Sequence, residues 1–93
     1  MATRTVTVGS ATGLHARPAA LFVAAAAAQP VAVTIRTANK PPVPARSMLS
    51  VLALGARQGT EVTLEAEGEG AEASLDALAD LLVRDLDAEP AGA

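Results

Sequence analysis

Three stretches of this 93-residue chain alternate polar and apolar residues, and that alternation constrains the fold more than any other feature. Thr3 to Val8 sets Arg4, Val6 and Val8 on one side. Val31 to Thr37 turns Val31, Val33 and Ile35 one way. Thr60 to Glu67 is the clearest case, with Val62, Leu64 and Ala66 opposed to Glu61, Thr63, Glu65 and Glu67. Successive side chains of a strand point to opposite faces, so each stretch reads as a strand with one dry face and one wet face. A wet face favours an antiparallel sheet whose helices cover only the other side.

The intervening segments read as helices and turns. Pro18 suits the first turn of a helix, where its missing N–H has no intrahelical partner. The alanine-rich run from Ala19 through Ala28 continues that helix, with Leu21, Phe22 and Val23 as its bulky anchors, and Gln29-Pro30 stops it. Ala38-Asn39-Lys40 turns the chain. Pro41, Pro42 and Pro44 limit the next segment to a short edge strand, since proline cannot donate to a ladder. Ser47 is placed to N-cap a short helix from Met48 to Leu54, with Gly55 at its C-terminal cap. A last helix is expected from Ala71 to about Asp87, with Ala71, Leu75, Leu78, Leu82 and Leu86 as one stripe. The expected order is β-α-β-β-α-β-α in a single domain over residues 1–93, ordered from about 2 to 88, with a frayed C-terminal tail.

Composition bounds the core and excludes several chemistries. Of the 51% apolar residues, 23 are alanine, leaving 24 larger apolar side chains for one small core. The expected radius of gyration is roughly 12 Å. With no cysteine there is no disulfide, thiolate zinc site or cysteine nucleophile. The start is polar and unlike a signal peptide, and the longest apolar stretch, Pro18 to Ala28, falls short of the ~18 residues that span a bilayer. A cytoplasmic protein without membrane insertion is the expectation. Charge is split sharply: residues 1–60 carry six cations and no acid, while residues 61–93 carry all ten acids and Arg84. A stretch without a carboxylate offers no Mg²⁺ or Ca²⁺ ligands of its own and attracts anionic groups. No metal and no cofactor are expected. Phe22 as the one aromatic residue, with an acidic last strand, argues against a nucleic-acid partner.

The one histidine, His15, lies in Gly13-Leu14-His15-Ala16-Arg17-Pro18-Ala19. A lone histidine is most often a surface or packing residue, but three local features favour chemistry. A helix N-terminus presents free backbone N–H groups and a positive dipole end, which suit phosphate-like anions. Arg17 adds a charge-assisted donor two residues away. A positive environment also disfavours the imidazolium and keeps the ring nucleophilic. The absence of a P-loop, and of any second group near His15 in sequence to act as acid or base, describes a chain that holds a phosphoryl group but does not take one from ATP unaided.

That segment resembles the active-site signature of the HPr family, the histidine-containing phosphocarriers of the bacterial phosphoenolpyruvate:sugar phosphotransferase system. Arg46-Ser47-Met48-Leu49-Ser50-Val51-Leu52-Ala53-Leu54-Gly55 resembles that family's second signature, around its regulatory serine. The resemblance implies an α+β open-faced two-layer sandwich, with a four-stranded antiparallel sheet and three helices on one face. It implies that phosphorylated enzyme I passes its group to Nδ1 of His15, which donates it to the A domains of sugar-specific enzymes II. Arg17 is then the phosphate-pairing residue, with the Ala16 and Arg17 amides as backbone donors, in a monomer with no autonomous catalysis. Ser47 is a helix N-cap and, by resemblance, a candidate phosphorylation site through which regulatory proteins act. Met48, Leu49, Leu52, Ala20 and Arg46 form the expected docking patch, with Lys40 at its margin. The sequence departs from the family at Lys40, at the three prolines of the edge segment, and at Ala24 to Ala28. Two readings of other classes compete: a purely regulatory binding module, which has no use for both His15 and Arg17, and a sandwich that binds RNA or a small ligand through its sheet.

Overall fold

A computed structural model describes residues 1–86. Along the chain run β1 (Ala2–Thr7), α1 (Ala16–Ala27), β2 (Val33–Thr37), β3 (Val43–Pro44), α2 (Met48–Ala53), β4 (Glu61–Ala66) and α3 (Ala71–Val83). This is the expected β-α-β-β-α-β-α order. The strands form one sheet in the order β1-β4-β2-β3, every neighbouring pair antiparallel. Its radius of gyration is 11.9 Å.

Register shows how the alternation becomes a layer. Ala66 of β4 stands between Ala2 and Val33, Leu64 between Arg4 and Ile35, and Val62 between Val6 and Thr37. Val62, Leu64, Ala66, Val33 and Ile35 of this row are buried beneath the helices, whereas Thr3, Thr5, Thr7 and Glu61 face solvent. Arg4 occupies the dry row yet keeps its charge at the rim. Its guanidinium pairs with Glu72 and with Asp76 (2.9 Å) on α3. The hydrogen bond to Glu72 foremost, then the one to Asp76, raises the Arg4 pKa above its ordinary value. The split of charge along the sequence is thus partly internal: the basic half reaches the acidic half across the β1–α3 layer.

The proline-rich segment shrinks to the two-residue edge strand Val43–Pro44, as a run of residues without N–H donors dictates. Two expectations are corrected. Leu21 is no anchor of α1: it is 36% exposed, and Phe22, at 0%, fills the core with Val23 half-buried. α3 ends at Val83 rather than near Asp87, which lies outside the described residues together with the expected frayed tail. The reason is competition for helix-end partners. In a longer helix the Leu82 carbonyl would accept from Leu86 N–H. Here it accepts from Gly9 N–H (2.9 Å), while Leu86 N–H donates to Ser10 Oγ (3.0 Å). Leu86 still reaches the core, as the stripe predicts, but from outside the helix.

Candidate functional site

The loop from Gly9 to His15 is pinned at both ends before it presents the histidine. At Gly9 a Cβ would lie 2.1 Å from the Val83 carbonyl oxygen, so only glycine lets the end of α3 close on the loop. Gly13 adopts φ +72, donates to the Ser10 carbonyl (2.9 Å), and leaves no room for a Cβ, which would meet the Ala56 carbonyl oxygen at 2.4 Å. Leu14 then donates to that same carbonyl at 2.9 Å and buries its side chain. The residue preceding His15 is therefore fixed between the core and the chain that leaves α2.

His15 is the N-cap of α1, extended at φ −137 and ψ 164, and exposed. Its carbonyl accepts from Ala19 N–H (3.4 Å), but its side chain makes no capping bond. Ala16 comes next at φ +49, where a non-glycine residue is disfavoured by about 1–2 kcal/mol. Pro18 is buried in the first turn and has no N–H to offer. An exposed imidazole thus stands at a helix start that its own side chain does not close.

Arg17 is half-buried, and its Nη1 donates to the Leu86 carbonyl at 2.5 Å. That contact had no signal in the sequence, because the stripe assigned Leu86 to a helix. The segment around Leu86 is itself tied to the loop before His15. Ser10 Oγ donates to the Arg84 carbonyl (3.2 Å) and accepts from Leu86 N–H, and Asp85 Oδ1 accepts from Ala11 N–H (3.2 Å). Ser10, only 2% exposed, was legible merely as a loop residue.

The second signature builds a different surface. Ser47 Oγ accepts from Ser50 N–H at 3.3 Å, the expected N-cap. Met48 and Leu52 are half-buried and packed on the core, whereas Leu49 is 82% exposed. The expected apolar trio is therefore divided, with Leu49 alone projecting fully. Ala20 and Arg46 are exposed as well. Lys40 Nζ donates to the Leu54 carbonyl (3.4 Å) at the far end of α2, where a cation complements the helix dipole. Arg36 faces Glu65 at 3.8 Å, while Arg46 and Arg57 form no ion pair among the described residues. Among those residues, no helix is long and apolar enough to cross a membrane, and no group of three or more His, Asp or Glu side chains lies placed to hold a metal ion.

The structure thus offers an exposed imidazole at the end of a pinned loop, with the Arg17 guanidinium, two residues on, held by the Leu86 carbonyl. The profile for the family described as PTS HPr component phosphorylation site matches residues 2–84. The phosphocarrier protein HPr of Streptomyces coelicolor is 54% identical, over 97% of both chains. Among solved structures, HPr-C-His from Thermoanaerobacter tengcongensis superposes with a TM-score of 0.87 at 39% identity, covering 97% of this chain and 100% of that one. An HPr dimer from the same organism gives a TM-score of 0.66 at 40% identity, over 87% of this chain and 92% of that one. The chain belongs to the HPr family of the phosphotransferase system. It is a phosphocarrier, not an autonomous enzyme, and it passes a phosphoryl group from enzyme I to enzyme II.

Proposed function

We propose that Nδ1 of His15 is the atom that takes the phosphoryl group, and that Arg17 with the Ala16 and Arg17 amides holds it there. The observation that carries this reading is the uncapped, exposed His15 at the start of α1. In the transfer, the Nδ1 lone pair forms a bond to phosphorus. The bond from phosphorus to the donor atom of enzyme I breaks, and its electron pair stays on the donor. Nε2 retains its proton, which makes the ring a good leaving group when enzyme II attacks the same phosphorus. Arg17 has five N–H donors in a fixed fork. It can keep one on the Leu86 carbonyl and turn others to the phosphoryl oxygens, whose charge it stabilises as it develops.

Docking centres on the exposed Leu49, with the exposed Ala20 and Arg46 and the half-buried Met48 and Leu52 completing the patch. A small apolar centre with a charged rim suits a carrier that must leave quickly. We read the chain as a cytoplasmic monomer that meets enzyme I and the enzyme II A domains in turn. Ser47 caps α2 and, when modified, carries a regulatory signal. The test is to incubate the parent and a His15→Ala protein with enzyme I and phosphoenolpyruvate and weigh both. The parent gains one phosphoryl group and the variant none; a variant that still gains the group overturns the assignment.

A further inference from the structure

We propose that Ser10 is a positioning residue for Arg17, acting through the segment 84–86. This rests on the role given above to Arg17. Ser10 is 2% exposed, and its hydroxyl lies between two backbone groups of that segment, donating to the Arg84 carbonyl and accepting from Leu86 N–H. Asp85 adds a second tie, accepting from Ala11 N–H in the same loop. These bonds hold the Arg84–Asp85 and Asp85–Leu86 peptides, the two that lead into the Leu86 carbonyl, and that carbonyl receives Arg17 Nη1. A carbonyl has no net charge, so this bond orients the guanidinium without neutralising it. A carboxylate in the same place would compete with a phosphoryl group for the cation. The segment leaves α3 just where Gly9 takes the Leu82 carbonyl, so helix end, loop and arginine form one connected unit.

Replacing Ser10 by alanine removes the hydroxyl that serves the buried Leu86 N–H and the part-buried Arg84 carbonyl. An unmade buried hydrogen bond is costly, so the segment shifts and the Leu86 carbonyl no longer holds Arg17 Nη1 in place. The chemical step then slows by roughly three- to tenfold, as misorientation of a transition-state donor demands. The enzyme I concentration for half-maximal rate stays at the parent value, because Ser10 is not part of the docking surface.

The experiment compares the parent, Ser10→Ala and Ser10→Thr, each also in an Arg17→Ala background. Rapid-quench transfer from phosphorylated enzyme I gives rates, and NMR of the Arg17 Nε–H group gives its environment. Unfolding midpoints establish that each variant is folded, and Ser10→Thr retains the hydroxyl. Three results are expected. Ser10→Ala slows transfer and shifts or broadens the Arg17 resonance, Ser10→Thr restores both, and Ser10→Ala changes nothing once Arg17 is alanine. An unchanged Arg17 resonance in Ser10→Ala overturns the inference and leaves the phosphocarrier reading intact. An equal slowing in the Arg17→Ala background also overturns it, because Ser10 would then act on transfer by another route. Failure of the carrier reading is seen separately, as phosphoryl uptake by His15→Ala.

Discussion

α1 and α2 begin in the same way and end up doing different work. Each has an N-cap residue in extended conformation, and neither has an acid in its first turn. At α2 the cap is Ser47, whose hydroxyl accepts the Ser50 N–H and closes the helix start from within. At α1 the cap is His15, whose side chain turns away from that task, with Ala16 beyond it in the left-handed region. A helix start satisfied by its own cap is a structural joint. One left unclosed at a strained residue, on a loop rigidly held by Gly13 and Leu14, keeps its amides for a ligand. On the proposed reading, this difference separates the signature that takes the phosphoryl group from the one that supports docking.

The contrast is open to direct attack. The largest effect belongs to Arg17: Arg17→Ala is expected to slow phosphoryl transfer by about 10²-fold, the scale of losing one charged transition-state donor. Arg17→Lys recovers part of that rate, lacking the planar fork. Rapid-quench kinetics with enzyme I decides, and a parent-like alanine variant would show that backbone amides alone hold the phosphate.

Docking is expected to respond next. Leu49→Ala removes an exposed apolar group, and Ser47→Asp brings negative charge to the patch while retaining a good N-cap. Both raise the enzyme I concentration for half-maximal rate roughly tenfold, the weight of a single interface anchor. Stability stays within about 0.5 kcal/mol of the parent. Titration of the transfer rate across a salt series checks this. Parent-like behaviour at every salt concentration would place docking elsewhere.

The caps themselves differ by a smaller amount. Ser47→Ala should cost about 1 kcal/mol of stability, whereas His15→Ala should stay within about 0.5 kcal/mol because His15 makes no capping bond. Urea midpoints measure both. Equal losses would erase the distinction between the two helix starts. Smallest of all, Ala16→Gly should stabilise by up to about 1 kcal/mol through relief of its positive φ, offset in part by added freedom of the unfolded chain.

Much of this was legible in the sequence because it depends on local rules. Alternation in the three strands, prolines at the edge and the Ser47 cap each involve near neighbours, and the structure bears them out. His15 was legible as the start of a helix from Pro18 and the alanine run. What escaped were contacts between residues far apart in the chain. The end of α3 is set by Gly9 and Ser10, more than seventy residues earlier, and no periodicity within α3 announces that its last carbonyls will be taken. The exposure of Leu21 and the division of Met48, Leu49 and Leu52 were hidden for the same reason. Which side of a short helix is covered depends on how its neighbours pack, not on its own composition.

On the reading proposed above, the phosphoryl group belongs at the unclosed helix start and not at the capped one. To test this, the protein is loaded from phosphoenolpyruvate and enzyme I, digested at alkaline pH, and the phosphate located by mass spectrometry. One phosphoryl group is expected on the peptide containing His15, lost in acid and stable in base as a phosphoramidate is. An acid-stable phosphate on the peptide containing Ser47, with His15 unmodified, would contradict it.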